Sequence, residues 1–268
     1  MNSGVRTIPF VKASACGNDF LLIDFSAAPM DSDLHAFTQR ICDRHDGVGA
    51  DGVEWMIPHS AADVEIRLIN ADGSDAEISG NGTRCVAAWW ATDQGKNKDK
   101  IVVRTGAGLK TCTLLRRSGN EFEFETDMGE PQVGDEFSIK LAFGEVRGVP
   151  VSVGNPHFVV FVEEFVVGWQ AEAAEIGKHH DFKYGINVEL VHVNSHGDID
   201  VRFFERGVGE TSSSGTGSCA AAVASIFSHK ATSPVVVQAP GGTQTVRWNG
   251  TVFLRGPAQL VGRGEFFG

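Results

Sequence analysis

Two stretches of this chain have the same pattern, and together they predict its fold. Ser79–Ala88 reads SGNGTRCVAA, and Ser214–Val223 reads SGTGSCAAAV. In each stretch a serine and two glycines come first, and a run of small and apolar residues follows. Such a run after a glycine-rich start is typical of a helix that is buried on most of its sides. We therefore expect two buried helices with similar beginnings, 135 residues apart.

A second pair of matching stretches has nearly the same spacing. Gly17–Phe20 (GNDF) and Gly154–Phe158 (GNPHF) both precede apolar runs, and their glycines are 137 residues apart. Two matched pairs at one period indicate an internal repeat. We expect two similar halves that face each other about a pseudo-two-fold axis, with one equivalent group on each side of a bound molecule. Inversion of a carbon centre is one of the few reactions that need this arrangement.

Length and composition suit a globular protein and exclude several kinds of partner. The chain has 268 residues, of which 42% are hydrophobic, and a formal net charge of −11. So acidic a chain is not expected to present the basic face that nucleic acid and anionic membranes require. No apolar run approaches the roughly 20 residues that span a bilayer. The N-terminus has no signal-peptide pattern, so we expect a cytoplasmic protein. An exposed sheet edge could support a homodimer.

The cysteines and histidines give no sign of a structural metal or of disulfides. The cysteines are odd in number and contain no C-x-x-C pair; they are residues 16, 42, 85, 112 and 219. Neither a disulfide framework nor a zinc site is therefore predicted. The pair His179-His180 lacks companion ligands at metal spacing in the sequence, and we interpret it as a pair at the end of a helix.

The periodicity of the apolar residues predicts an α+β protein. Strands are predicted at residues 6–12, 19–25, 63–70, 185–193 and 199–204 and over much of 101–161. Helices are predicted from Asp31-Ser32 to about His45–Gly47, over 169–176, from Gly80 to about Thr92, and from Gly215 to about Phe227.

The order of these elements is strands, one apolar helix, then strands in each half. The predicted fold has two pseudo-symmetric halves, each with a mixed or antiparallel sheet wrapped around a central apolar helix. We place the N-terminal half at residues 1–118, completed by 258–268, and the C-terminal half at 119–257.

The two glycine-rich helix starts predict an anion site. Glycine permits the backbone to approach a ligand closely, and the free N–H groups at a helix start attract anions. Gly80 and Asn81 in the first half, with Gly215 and Thr216 in the second, would then bind a carboxylate through their backbone N–H groups. Alternatively, the serines before them are ordinary N-caps, a position that serine favours.

Seven blocks along nearly the whole chain carry a resemblance to a known family. They are Gly17–Phe20, Asn70–Ser74, Ser79–Cys85, Gly154–His157, Asn187–Glu189, Glu205–Thr211 and Ser214–Ala220. With these blocks the chain resembles the diaminopimelate epimerases. The resemblance implies two similar halves with a central helix each, and inversion of the α-carbon of diaminopimelate from the LL to the meso form, in lysine and peptidoglycan precursor synthesis. It also implies an amino-acid substrate and no cofactor, neither pyridoxal phosphate nor a metal.

The chain departs from the family pattern at two positions. It has Ser79 and Ser214 where the family has its two catalytic cysteines. In the family one thiolate removes the α-proton and the opposite thiol returns a proton. A hydroxyl is a far weaker acid than a thiol and needs a base beside it. Three explanations stay open: a deliberate Cys→Ser variant, a natural enzyme whose hydroxyls are assisted by His157 and Glu205, or divergence towards another proton-transfer substrate or towards binding alone.

The resemblance assigns roles to three further charged or titratable residues. His157 and Glu205 would tune the acidity of the reactive pair and are counted as catalytic with the two serines. Arg206 could clamp a substrate carboxylate with two hydrogen bonds, or it could be a surface charge. If the chain has diverged towards a related proton-shift isomerase, Glu205 or Glu77 could be its base.

The resemblance also implies that four asparagines bind the amine and carboxylate groups at the far end of the substrate. They are Asn18, Asn70, Asn155 and Asn187. Asn70 could instead stabilise the Asp72-Gly73 turn, because asparagine readily hydrogen-bonds to nearby backbone in turns.

Overall fold

The chain divides into two units in the computed structural model, which describes residues 6–29, 33–94, 98–142 and 144–267. Unit 1 consists of Met1–Thr126 and Pro257–Gly268, and unit 2 of Asp127–Gly256. The sequence suggested divisions at 118/119 and 257/258. In the structure the first division falls inside a strand, Glu121–Gly129, and the second inside another, Thr251–Phe267.

Unit 1 contains the first eight strands and two helices. The strands are β1 (Thr7–Ala15), β2 (Asn18–Asp24), β3 (Gly52–Ile57), β4 (Val64–Asn70), β5 (Asp75–Ala76), β6 (Lys100–Thr105), β7 (Gly108–Ser118) and β8 (Glu121–Gly129), whose last residues belong to unit 2. The helices are α1 (Leu34–Cys42) and α2 (Gly80–Trp89), with a 3-10 turn at Phe25–Ala27 and a π-turn at Trp90–Gln94.

Unit 2 contains the remaining strands and two more helices. The strands are β9 (Gln132–Val133), β10 (Phe137–Leu141), β11 (Gly144–Ser152), β12 (Pro156–Phe161), β13 (Asn187–Ser195), β14 (Asp198–Glu205), β15 (Gly209–Thr211), β16 (Val235–Ala239), β17 (Gly242–Asn249) and β18 (Thr251–Phe267), whose end returns to unit 1. The helices are α3 (Trp169–Gly177) and α4 (Gly215–Phe227).

The two units have the same order of strand pairings. In unit 1, β2 pairs in parallel with β3 and β4 with β6, while β1–β2, β3–β4, β4–β5 and β6–β7 are antiparallel. In unit 2, β12 pairs in parallel with β13 and β14 with β16, while β11–β12, β13–β14, β14–β15 and β16–β17 are antiparallel. The α+β class with two similar halves, expected from the sequence repeat, is confirmed.

Alternation of side chains along the strands gives each sheet two apolar faces. In unit 1, Phe20 and Leu22 pack in the cluster that contains α2, whereas Leu21 and Ile23 pack in the cluster that contains α1. Successive strand residues point to opposite faces, so one strand serves both helices. The central helix α2 and the outer helix α1 therefore lie on opposite faces of the unit 1 sheet.

Unit 2 repeats this arrangement. Val159 and Val191 pack in the cluster of α4, whereas Val160 and Val188 pack in the cluster of α3. Helix α4 is rich in alanine and carries no charge, and its residues Gly215–Ser225 are all buried. Small side chains without charge allow strands to pack around nearly the whole helix, as the sequence predicted for a central apolar helix.

The helices predicted from periodicity are present, with differences at two ends. The predicted start at Asp31-Ser32 lies outside the described residues, and the observed N-cap of α1 is Asp33, whose side chain accepts a hydrogen bond from His35 N. Helix α2 ends at Trp89 rather than near Thr92, because the following residues form the π-turn. Within the described ranges, no helix is both long enough and apolar enough to cross a membrane.

Candidate active site

The first helix start, Ser79–Gly82, is a capped helix N-terminus in unit 1. Ser79 is the N-cap of α2, and its Oγ accepts a hydrogen bond from Gly82 N at 3.0 Å. Its carbonyl oxygen accepts from both Thr83 N and Thr83 Oγ1, at 2.8 and 2.7 Å. The capping role that the sequence offered as an alternative is therefore present. It is compatible with anion binding, since a helix start still directs its positive end outward.

Two of the predicted binding residues in unit 1 contact each other. Asn81 Nδ2 donates to Asn18 Oδ1 at 2.7 Å, and Asn18 Nδ2 donates to Asp51 Oδ2 at 3.0 Å. The buried Arg84 guanidinium donates to Asn81 Oδ1, to Gly80 O and to Pro257 O. The hydrogen-bond chain holds the turn between β1 and β2 beside the first helix start.

The third predicted binding residue of unit 1 has a different position. Asn70 Nδ2 donates to Ser74 Oγ at 3.0 Å, and Asn70 O accepts from Gly73 N at 2.9 Å. Asn70 therefore stabilises the turn between β4 and β5, as the sequence also allowed, and its part in substrate binding stays a prediction.

The second helix start, Ser214–Gly217, has a base beside its serine. Ser214 is the N-cap of α4, and its Oγ accepts from Gly217 N at 3.1 Å. The same hydroxyl donates to Glu205 Oε1 at 2.8 Å. A hydroxyl that donates to a carboxylate has the base that a serine nucleophile or proton carrier needs. This contact is the geometry that the explanation of a hydroxyl assisted by Glu205 requires.

A chain of four hydrogen-bonded side chains leads from the sheet to the second helix start. Glu189 Oε1 contacts His157 Nδ1 at 2.7 Å, and His157 Nε2 contacts Asn155 Oδ1 at 3.0 Å. Asn155 Nδ2 then donates to Thr216 Oγ1 at 3.2 Å. Both ring nitrogens of His157 therefore have a side-chain oxygen as hydrogen-bond partner. His157 thereby links Glu189 to Asn155 and orients the Asn155 side chain.

Asn187 and Arg206 lie on neighbouring segments of unit 2. Asn187 Nδ2 donates to Pro156 O at 2.9 Å, and Asn187 Oδ1 accepts from Arg206 N at 2.9 Å. The Arg206 guanidinium donates to Tyr184 O at 3.2 Å and is exposed. Glu205 and Arg206 also line a pocket of about 550 Å³ within this unit. Asn187 therefore holds the backbone of Arg206 in place and leaves its charged end at the surface.

Sequence reasoning missed two buried carboxyl groups, Glu54 on β3 and Glu189 on β13. Both are completely buried. They are 135 residues apart, the same spacing as that between Ser79 and Ser214. The spacing was visible in the sequence. Each glutamate, however, is a single charged residue within an apolar strand, and the alternation of side chains does not predict which residue it contacts.

These carboxyl groups explain the last glycine of each helix start. A Cβ on Gly82 would overlap Glu54 Oε1, and a Cβ on Gly217 would lie 2.8 Å from Glu189 Oε1. The two glycines permit close approach of a backbone and a buried carboxyl group. In the sequence the same glycines suggested close approach of a ligand.

The Gly217→Ala variant is expected to lose about 1–3 kcal/mol of unfolding free energy because it overpacks the core. Its Cβ would meet Phe203 Cδ1 as well as Glu189 Oε1, each at 2.8 Å. Urea unfolding measures the loss. Gly197→Ala is the matched control, because no heavy atom of the described structure lies within 4 Å of the Cβ it would add. Equal midpoints for the two variants would contradict the overpacking argument.

Four of the five cysteines are unsuited to replace the two serines as proton carriers. All five are free and buried. Burial raises the pKa of Cys42 to about 12 and that of Cys112 to about 11, and it also raises the pKa of Cys16 and Cys85. Thiols that stay protonated at neutral pH do not supply the thiolate that α-proton removal requires.

The two histidines after α3 have an acidic neighbour that the sequence reading did not include. Ligand atoms of His179, His180 and Asp181 lie within 4.8 Å of one another. His179 Nδ1 accepts from Asp181 N at 3.3 Å and His179 Nε2 donates to Lys140 O at 3.2 Å, so both ring nitrogens have protein partners. These residues follow the end of α3, as the interpretation of a helix-end pair proposed.

Comparison with known proteins identifies related sequences over the length of the chain. The family model for diaminopimelate epimerase matches residues 10–134 and 149–261. The diaminopimelate epimerase of Elusimicrobium minutum is 37% identical, over 96% of this chain and 98% of its own length. That of Pelotomaculum thermopropionicum is also 37% identical, over the same shares of the two chains.

Several solved structures share the fold at low sequence identity. A hydroxyproline epimerase from Agrobacterium vitis, with bound trans-4-hydroxy-L-proline, has a TM-score of 0.74 at 15% identity and covers 97% of this chain and 91% of its own. A phenazine biosynthesis protein from Bacillus anthracis has a TM-score of 0.72 at 16% identity, over 97% and 99%. A methylitaconate-delta-isomerase has a TM-score of 0.68 at 15% identity, over 97% and 95%.

The family match, together with the repeated α+β units and their two equivalent helix starts, defines the chain as an isomerase of the epimerase type. Its match to relatives over nearly their whole length makes the assignment specific. The chain belongs to the diaminopimelate epimerase family.

Proposed function

We propose that this chain inverts the α-carbon of diaminopimelate, from the LL to the meso form, in the synthesis of lysine and peptidoglycan precursors. The observation that carries the proposal is the hydrogen bond from Ser214 to Glu205, because it pairs a hydroxyl at the expected position with a base. The family relatives named diaminopimelate epimerase support the choice of substrate.

In the proposed reaction the two serines carry protons to and from the α-carbon. Ser214 Oγ takes the α-proton while its own proton passes to Glu205, which becomes a neutral acid. Ser79 Oγ–H then delivers its proton to the other face of the carbon. Exchange with water removes the proton from Glu205 and restores the one on Ser79. The positive ends of the helix starts stabilise the carboxylate and the negative charge that develops beside it.

Binding is assigned to the residues around each helix start. The backbone of Gly80, Asn81, Gly215 and Thr216 would bind the α-carboxylate. The distal amine and carboxylate would contact Arg206 and the four asparagines already described, which are Asn18, Asn70, Asn155 and Asn187. We propose that His157 acts by orienting Asn155, that no cofactor takes part, and that the enzyme works in the cytoplasm. A homodimer stays a prediction, which light scattering after size-exclusion chromatography tests.

Incubation with LL-diaminopimelate in deuterium oxide is expected to place deuterium at the α-carbon and to form the meso isomer. Proton NMR of the α-position measures both. Ser214→Ala should reduce exchange by about 10²-fold or more, because the base then lacks its proton carrier. Ser225→Ala is the matched control: it removes a buried hydroxyl from the same helix, one that donates to Ala221 O at 2.7 Å.

Several outcomes would contradict the proposal. One is diaminopimelate binding in calorimetry without any exchange, which would indicate a binding protein. Another is exchange that appears only after Ser79 and Ser214 are both replaced by cysteine, which would show that the serine hydroxyls do not carry the protons.

A further inference from the structure

Glu54 and Glu189 occupy equivalent places in the two units. Each is on the strand that pairs in parallel with the strand after the Gly-Asn turn, and each lies against the last glycine of a helix start. Strand alternation places both on the face that packs against the central helix. The repeat therefore supplies one buried carboxyl group beneath each helix start.

Glu54 lies among apolar strand neighbours. Neither of its oxygens has a hydrogen-bond partner within the described part of the chain. Its neighbours on the flanking strands are Leu22 and Leu68. The backbone N–H of Gly82, the glycine that lies against Glu54, donates to Ser79 Oγ.

The charged and titratable groups of the neighbouring elements are engaged elsewhere. The thiol of Cys85 on α2 interacts electrostatically with Glu54 and with three other groups, which are Arg84 on α2 and Cys16 and Asp19 at the β1–β2 turn. Arg84 donates its hydrogen bonds to backbone carbonyls, Asn81 and Cys16. Asp19 is paired with Lys12 and Arg44. Glu54 therefore lies against apolar strand residues, and the hydrogen bonds of the Arg84 guanidinium go to other groups.

Glu189, unlike Glu54, has a hydrogen-bond partner among the described residues. Its Oε1 is hydrogen-bonded to His157 at 2.7 Å, and the two side chains are completely buried. In the parallel pairing of unit 2, His157 lies opposite Asn187; in unit 1 the corresponding pair is Phe20 and Gly52. Phenylalanine thus stands in unit 1 where unit 2 has the histidine. One buried carboxyl group has a histidine as hydrogen-bond partner, and the other has no hydrogen-bond partner in the described part of the chain.

We propose that Glu54 is a positioning residue that stays a neutral carboxylic acid beneath the first helix start, and that its ionisation weakens binding of the substrate carboxylate there. The inference rests on the proposed function, because it concerns the same substrate group. A neutral acid leaves the positive end of α2 available to a ligand anion. A buried carboxylate at the same place would reduce the positive potential at the helix start and repel the ligand anion.

Burial raises the pKa of Glu54 to about 8. The neutral form therefore predominates at neutral pH. Above that pKa its fraction falls about tenfold for each pH unit, so the KM for the substrate should rise by the same factor.

The test compares the pH dependence of KM in the native enzyme and in Glu54→Gln between about pH 7 and about pH 10. The native KM is expected to rise about tenfold per unit above the transition, whereas KM of Glu54→Gln should lack this rise, since the amide cannot ionise. The pH dependence of kcat should be the same in both, because Glu54 acts on binding. Glu121→Gln, which removes an exposed carboxyl group of unit 1, should keep the native profile. The same alkaline rise of KM in Glu54→Gln would overturn the proposal.

Infrared difference spectroscopy tests the protonation of Glu54 without turnover. The native protein at neutral pH should show a carbonyl band of a protonated carboxylic acid that disappears with rising pH and is missing in Glu54→Gln. Absence of that difference would refute the neutral acid. If diaminopimelate is neither exchanged nor bound while the band is present, the proposed function fails and the protonation of Glu54 stands.

Discussion

Replacing Glu205 by glutamine is expected to lower kcat by about 10²- to 10⁴-fold, the range that a general base contributes. Glutamine keeps the shape of the side chain, and its amide oxygen can still accept the hydrogen bond that Ser214 Oγ donates at 2.8 Å. It cannot take the proton. KM should change little, because the proton moves only in the transition state. Initial rates of deuterium exchange into diaminopimelate measure the effect.

Two further variants separate loss of the base from damage to the fold. Glu210→Gln is the matched control in the same segment, because its carboxyl group is exposed and accepts a hydrogen bond from Gln170 at 2.9 Å. It should keep native kcat. Adding Ser214→Cys to Glu205→Gln should recover part of the rate, because a thiol near a helix start ionises without help. Native rates in Glu205→Gln alone would exclude Glu205 as the base.

Helix positions were predictable from the sequence because burial and periodicity are local properties. Helix α4 spans Gly215–Phe227, as its apolar run predicted. The end of α2 was less predictable, since the sequence around Trp90 continues with helix-compatible residues and only the backbone shows the π-turn. The hydrogen bond between Ser214 and Glu205 did not follow from the hydrophobic pattern or from the 135-residue repeat, because it depends on how β14 and α4 pack against each other.

Contacts between strands were the main feature that the sequence could not supply. His157 and Glu189 are 32 residues apart, and their contact depends on the parallel register of β12 and β13. The sequence repeat does carry the equivalence of Glu54 and Glu189. That equivalence becomes visible only if a single glutamate within an apolar strand is interpreted as a functional residue. The usual interpretation is that such a glutamate is the solvent-facing residue of a half-buried strand.

His157→Phe is expected to lower the unfolding free energy by about 3–5 kcal/mol near neutral pH, because it removes one partner of a buried pair and leaves the other charge uncompensated. His157 and Glu189 are both completely buried. The variant also gives unit 2 the combination that unit 1 already has, a phenylalanine on the strand beside a buried glutamate. Urea unfolding at several pH values measures the loss.

The pH dependence of that loss shows whether charge is its cause. Burial raises the pKa of Glu189, and His157 opposes the rise. Without His157 the folded pKa should lie further above the unfolded value. The folded variant then binds the proton more tightly than the unfolded chain, so its stability is greatest below the unfolded pKa and falls as the pH rises towards the folded one. A loss that is the same at all pH values would indicate a packing defect instead.

The double variant His157→Phe, Glu189→Gln isolates the charge from the shape of the site. With no ionisable group left beneath the second helix start, most of the lost stability should return above neutral pH, and the slope of stability with pH should flatten. The introduced amide would still face the phenylalanine without a hydrogen-bond partner, so recovery is expected to be incomplete. If the double variant is as unstable as His157→Phe alone, the buried charge is not what His157 compensates. The proposed difference in ionisation between Glu189 and Glu54 would then need a cause other than the absence of a histidine beside Glu54.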